Sequence, residues 1–247
     1  HIASLDAVTG AEIIVNGNLT GTAASVKTAF ALNTLNAARD ATTQVSGMEG
    51  RSVTLTDTTI AASDITIVDG LTTAGTVSAA AANTVTGTFL EITGAFALNT
   101  AGTVTGLGSE ALTVSDAITT ANANTLNGLT DQAVTATISD GDMTTLAGLT
   151  ETGHAYTVTV TDASADAAAL NALDGKTTVA LGVTSTTLNG TFTDINTVYT
   201  ANSNGTISGL GNEDITLTET ITVAQFNELA TKTSGIITAT ISDHDMA

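Results

Sequence analysis

The chain has 247 residues with 24 acidic and 5 basic side chains, a net charge of −19, and no Cys, Pro or Trp. This charge excludes nucleic-acid binding, which needs clustered Lys and Arg, and the lack of Cys excludes a disulfide framework. No apolar run approaches the roughly 20 residues that cross a bilayer, so we predict no membrane span.

Short helices are predicted where apolar residues recur at three-residue spacing, because this spacing marks one face of a two-turn helix. Several of these blocks begin near Ser, Thr or Asp, which cap helices, and end in Gly. In chain order the blocks are Ile65, Val68, Leu71; Phe89, Ile92, Ala95; Ala123, Leu126, Leu129; Met143, Leu146, Leu149; Ala167, Leu170, Leu173; Phe192, Ile195, Val198; and Val223, Phe226, Leu229.

Strands are predicted between the blocks, where β-branched residues alternate with Thr and Ser. These stretches are SVTLTDT (52–58), LTVSD (112–116), AVTATIS (133–139), YTVTVTD (156–162), DITLTET (214–220) and IITATIS (236–242). A unit of one strand and one short helix cannot bury its apolar face alone, so neighbouring units are expected to stack. We therefore predict one right-handed parallel β-solenoid over 1–247, with one strand and one short helix per coil and roughly ten coils.

A long repeat supports this prediction. Residues 87–143 align with 190–246 at a spacing of 103 without a gap, and 26 of the 57 positions are identical. Both ends are expected to lie within a repeat, because joining the tail to the head places Ile2 on Leu146 and Leu5 on Leu149. We expect copies to continue head to tail, as tandem covalent repeats or as subunits of a filament.

Three segments carry a resemblance to a known class of protein: ADAAALNALDGKTTVAL (165–181), TLNGTFTDINTVY (187–199) and GLGNEDITLTETITVAQFNEL (209–229). They resemble repeats of giant secreted and cell-surface proteins of marine bacteria, particularly marine cyanobacteria. The resemblance implies an extracellular structural or adhesive role, and we predict a segment of a rod or filament. We expect no enzymatic activity, because the sequence contains no nucleophile elbow, phosphate-binding loop, metal-ligand pair or Cys/His pairing. The alternatives are an adhesin stalk or surface-binding module with loosely bound calcium, and a polysaccharide-processing β-helix enzyme.

Two acidic pairs are candidate calcium ligands, Asp140 with Asp142 and Asp243 with Asp245, because hard cations prefer carboxylate oxygens. The competing interpretation, which we favour, is helix capping, with Ser139 or Asp140 capping the helix that contains Met143. No cofactor is therefore expected. The three histidines, His1, His154 and His244, lie in different repeats without ligand partners, so we expect them at the surface.

Overall fold

The structure is a computed structural model that describes residues 13–36 and 45–242. These residues form an α/β fold of short helices and parallel strands. They divide into two compact units. The first holds the residues up to Asp116 together with Gly128–Gln132, and the second holds Ala117–Asn127 and the residues from Ala133 onward.

In the first unit, three helices pack side by side in sequence order. They are α1 (Ala23–Asn36), α2 (Ala62–Leu71) and α3 (Phe89–Ala101). The strands are β1 (Ile13–Ile14), β2 (Leu19–Gly21), β3 (Val45–Ser46), β4 (Val53–Leu55), β5 (Thr59–Ala61), β6 (Val77–Ser78), β7 (Thr84–Gly87), β8 (Val104–Thr105) and β9 (Ala111–Ile118), whose last two residues belong to the second unit.

Parallel pairing arranges these strands so that like side chains meet. The order β2-β4-β6-β8 forms one sheet, β5, β7 and β9 pair in a second sheet, and β1 pairs with β3. Along the first sheet, the partners Leu19, Val53, Val77 and Val104 are buried, and the neighbouring partners Thr20, Thr54, Ser78 and Thr105 carry hydroxyl groups. The alternation therefore places one apolar rank in the core and one hydroxyl rank on the opposite side of the sheet.

The second unit continues the same kind of structure. Its helices are α4 (Thr120–Asn127), α5 (Met143–Leu146), α6 (Ala167–Asp174), α7 (Phe192–Asn204) and α8 (Val223–Leu229). Its strands are β10 (Val134–Ile138), β11 (Ala155–Thr157), β12 (Thr159–Val160), β13 (Ser164–Asp166), β14 (Leu181–Val183), β15 (Thr187–Gly190), β16 (Ile207–Ser208), β17 (Asp214–Ile221) and β18 (Ile237–Ile241). The parallel orders are β12-β14-β16 and β13-β15-β17-β18, and β10 pairs with β11.

The prediction of a single sheet with one strand per coil differs from this structure, which has several parallel sheets. Strands of three or four residues run directly into helices, as β5 into α2 and β13 into α6. Strands this short give no readable alternation, since a sequence signal needs about 4–8 residues. The predicted helical blocks coincide with α2 to α8, except that Leu129 lies beyond the end of α4 and Leu149 beyond the end of α5. Helix α1 was not predicted.

The two copies of the 103-residue repeat fold alike where both are described. Helices α3 and α7 each have 13 residues and begin after Thr88 and Thr191, whose side chains accept a hydrogen bond from the helix. Their C-cap residues are Gly102 and Gly205, whose φ angles of 85° and 81° lie in the left-handed region that favours glycine. No helix in the described part of the chain is both long and apolar enough to cross a membrane.

Candidate functional site

The acidic pair of ATISDGDM caps two different helices. Asp142 is the N-cap of α5, and its Oδ1 accepts a hydrogen bond from the Thr145 N–H at 2.9 Å. This bond lowers the pKa of the Asp142 carboxyl. Asp140 instead accepts through Oδ2 from the N–H of Thr120, the first residue of α4, at 2.7 Å. The prediction that Ser139 or Asp140 caps the helix of Met143 was therefore wrong, because Asp142 holds that position.

Asp140 belongs to a set of carboxylates that cap a helix in the preceding strand–helix segment of the chain. We call each such segment a coil. In each case an acidic residue in the last part of a strand or just beyond it accepts a hydrogen bond from the N–H of the first residue of a helix that lies 19 to 34 residues earlier. The pairs are Asp57 with Ala23 (2.8 Å), Asp116 with Phe89 (2.8 Å), Asp140 with Thr120 (2.7 Å), Asp162 with Met143 (2.7 Å) and Glu219 with Phe192 (2.8 Å). We call these five residues the inter-coil caps.

The inter-coil caps explain part of the acidic composition. The first N–H groups of a helix lack partners within it, and the helix dipole makes this end partly positive. A carboxylate from the next coil satisfies such a group and also ties the two coils together. Sequence reasoning missed this role, although a signal exists: each of the five residues is the acid that follows the alternation in a predicted strand, as in SVTLTDT and LTVSD.

A calcium role for the acidic pairs stays a hypothesis. The carboxylates of Asp140 and Asp142 are engaged by backbone N–H groups of different helices. Within residues 13–36 and 45–242, no group of three or more His, Asp or Glu side chains is placed to hold a metal ion. Asp243, Asp245, His1 and His244 lie outside the described residues.

His154 is buried, contrary to the surface position that we expected. Its side chain is 8 % exposed, and its Nδ1 accepts a hydrogen bond from the Val134 N–H at 3.0 Å. Its ring lies 5.2 Å from the ring of Tyr156. Burial lowers the pKa of His154, although the negative charge of Glu151 opposes this effect. No sequence pattern indicated that His154 is buried, because a single polar residue produces no periodic signal.

Two glutamates are buried at equivalent positions of the long repeat. Glu110 and Glu213 are 2 % and 1 % exposed. Each accepts from the N–H of the glycine two residues before it, at 2.8 Å for Glu110 and 2.9 Å for Glu213. Glu213 has a further donor, since the Tyr199 hydroxyl lies 3.0 Å from its Oε2. Burial and the charge of Glu213 raise the pKa of Tyr199.

A small apolar groove lies between α5 and α6, with a volume of about 170 Å³. It forms because α5 has four residues and α6 has eight, so the second turn of α6 has no helical turn beside it. Its lining is Met143, Leu146, Ala147, Ala169, Ala172, Leu173 and Lys176. The Lys176 ammonium already donates to the Thr150 carbonyl at 2.9 Å, so little polar chemistry remains to orient a ligand.

The surface formed by Phe226, Ile237, Ala239 and Ile241, which we call the β18 face, carries apolar side chains that are only half-buried. The equivalent residues one long repeat earlier are buried: Ala123, Val134, Ala136 and Ile138 are at most 5 % exposed. The difference follows from pairing. Strand β10 pairs with β11 of the following coil, whereas β18 pairs with β17 alone among the described strands.

No protein-family model, curated protein or solved structure matches this chain.

Proposed function

We propose that this chain is a structural repeat protein that assembles head to tail, with the β18 face of one copy covered by a coil of the next copy. The observation that carries the proposal is the contrast between ITATISD at β18 and VTATISD at β10. One motif occurs twice. Its apolar side chains are buried at β10, which pairs with β11, and half-exposed at β18, which pairs with β17 alone among the described strands. A parallel strand with an unpaired edge is a template for another strand.

The proposed assembly is a right-handed parallel solenoid that continues from copy to copy, with roughly ten coils in each. Each coil would be held by three interactions that recur along the chain: backbone bonds between strands, aliphatic layers and inter-coil caps. Since these interactions are local to neighbouring coils, a rod can be lengthened without a new kind of contact.

The proposed setting is extracellular, in a filament or in a giant cell-surface or secreted protein. A net charge of −19 suits a salty medium, in which like charges are screened. The resemblance of residues 165–181, 187–199 and 209–229 to repeats of such proteins supports the same setting. The role is proposed to be structural rather than catalytic, because the inter-coil caps use their carboxylates to hold backbone N–H groups.

The test is the molar mass of the purified chain over a range of concentrations, measured by light scattering after size exclusion. The wild type is expected to form species that pass beyond the dimer as concentration rises, because a head-to-tail contact does not close on itself. Ile237→Lys places a charge on the β18 face and is expected to remain at the monomer mass of 24.5 kDa.

The matched control is Thr238→Lys, which adds the same charge on the opposite side of β18, where Thr238 is exposed. This variant is expected to assemble like the wild type. A wild type that stays monomeric at every concentration would contradict the proposal. Growth that stops at the dimer would indicate a symmetric contact and would also contradict it.

A further inference from the structure

At five of the described strand pairings, a backbone carbonyl accepts the hydrogen bond from the N–H with which the pairing begins. The donor is the first core residue of the strand, and the acceptor is the residue before its partner in the next coil. The pairs are Leu19 with Ser52 (2.9 Å), Val53 with Thr76 (2.8 Å), Val77 with Thr103 (2.9 Å), Leu181 with Thr206 (2.8 Å) and Ile215 with Ile236 (2.8 Å).

The step from β10 to β11 is different, because a side chain provides the acceptor. The register places Thr135 beside Ala155, so Val134 stands beside His154. The Val134 N–H donates to His154 Nδ1 at 3.0 Å. In the other pairs, the acceptor at this place is the backbone carbonyl of the residue before the strand partner. A nitrogen that accepts a hydrogen bond carries no proton, so the ring is neutral when this bond is made.

The surroundings leave little to compensate a charge on this ring. Val134 and Tyr156 are fully buried, and the Tyr156 hydroxyl donates to Asn127 Oδ1 at 2.5 Å. Burial raises the pKa of Tyr156 to about 12, so this phenol is neutral in the range where histidine titrates. From the following coil, the uncharged Thr178 contacts His154 through the backbone. Among the described residues, Glu151 is the charged group that acts on the ring.

We propose that His154 makes the β10–β11 step a pH-sensitive joint, which is closed by the neutral ring and opened when the ring is protonated. A proton on Nδ1 turns the acceptor into a donor that faces the Val134 N–H. It also places a positive charge in a buried site, and such a site disfavours the charged form. The five pairs named above use backbone carbonyl acceptors, which do not titrate and cannot respond in this way.

The direction of the pH effect follows from linkage. Burial holds the pKa of His154 in the closed joint below its ordinary value of 6.5, whereas the ring in the opened joint is exposed to water. The opened joint therefore binds a proton first as the pH falls below 6.5. The closed joint is fully stable above 6.5 and is progressively lost as the pH falls from 6.5 toward the lower pKa of the buried ring.

The test is amide hydrogen exchange of the full chain by NMR at about pH 8 and about pH 5, corrected for the intrinsic dependence of exchange on pH. Protection of the Val134 amide is expected to be lower at about pH 5 than at about pH 8, by up to about thirtyfold, because pH 5 lies about 1.5 units below the ordinary histidine value. Protection of the Leu181 amide, which donates to a carbonyl, is expected to stay constant. Equal protection of Val134 at both pH values, or a parallel loss at Leu181, would overturn the proposal.

The matched variant is His154→Asn, in which Oδ1 replaces Nδ1 as an acceptor that cannot be protonated. Protection of Val134 in this variant is expected to be the same at both pH values, and a persisting fall would overturn the proposal. If the variant does not fold, NMR titration of the His154 ring in the wild type tests the proposal instead. Its midpoint must lie below 6.5 and accompany the loss of Val134 protection. The joint lies inside the second unit, so the result is independent of assembly between copies.

Discussion

At the scale of single residues, the long repeat aligns Phe96 with Tyr199 and the buried Glu110 with the buried Glu213. The Tyr199 hydroxyl donates to Glu213, and Phe96 has no such group. We expect Tyr199→Phe to lower the free energy of unfolding by about 1–3 kcal/mol, because a buried carboxylate loses a donor. Urea denaturation at neutral pH measures the change.

The repeat supplies the control for this variant. Phe96→Tyr adds the same hydroxyl at the equivalent position, and Glu110 has the Gly108 N–H as its donor. This exchange is expected to leave the free energy of unfolding equal to or higher than that of the wild type. A Tyr199→Phe variant as stable as the wild type would show that the hydroxyl bond contributes nothing net.

His154 and the glutamates show what sequence could not provide at this scale. Their importance comes from burial beside particular backbone N–H groups, and burial of a lone polar residue leaves no periodic pattern. The spacing of 103 residues aligns Glu110 with Glu213, and equivalent residues of a repeat are expected to occupy equivalent places, but their burial was not predicted.

At the scale of elements, each inter-coil cap links a strand, or the residues just after it, to the N-terminus of an earlier helix. We expect Asp140→Ala to lower the free energy of unfolding by about 0.5–2 kcal/mol, the usual effect of losing a helix cap. Asp140→Asn keeps an acceptor for the Thr120 N–H, so it is expected to lower the free energy of unfolding by less than Asp140→Ala does. Chemical denaturation of the three proteins measures the order.

The control for the cap is Asp131→Ala. Asp131 is exposed and accepts from the side chain of Gln132 at 3.1 Å, so its loss removes the same charge without uncapping a helix. We expect this change to leave stability nearly unaltered. An effect equal to that of Asp140→Ala would mean that net charge, and not capping, sets the cost.

Melting temperatures measured with and without calcium distinguish helix capping from metal binding at Asp140 and Asp142. Capping needs no ion, so we expect equal melting temperatures in excess calcium and in excess chelator. A bound ion stabilises the folded state by mass action, and about 1 kcal/mol corresponds to roughly 2–4 °C for a chain of this size. A rise of several degrees with calcium would favour the calcium hypothesis for Asp140 and Asp142.

Sequence predicted the helices better than the strands. A block such as Ala167, Leu170 and Leu173 reveals a helix because its three residues are all buried on one face. Strands such as β6 and β16 contain two residues, which is too few for alternation to be visible. Their positions depend on pairing with strands of neighbouring coils, and this information is spread along the chain.

At the scale of the whole molecule, stability is expected to come from neighbours more than from any single coil. Helices of 4 to 14 residues are short, and most helical stability at this length comes from packing. The inter-coil caps and parallel strand pairs join residues that lie about one coil apart in sequence. The same interactions can join one copy to the next if the β18 face meets another coil.

Cryo-electron microscopy of the concentrated wild-type chain tests this claim most directly. The account predicts filaments of uniform width in which β18 of each copy forms backbone hydrogen bonds with a parallel strand of the next copy and Ile237 is buried. Particles in which the β18 face remains open to solvent, or in which two β18 strands pair antiparallel, would contradict it.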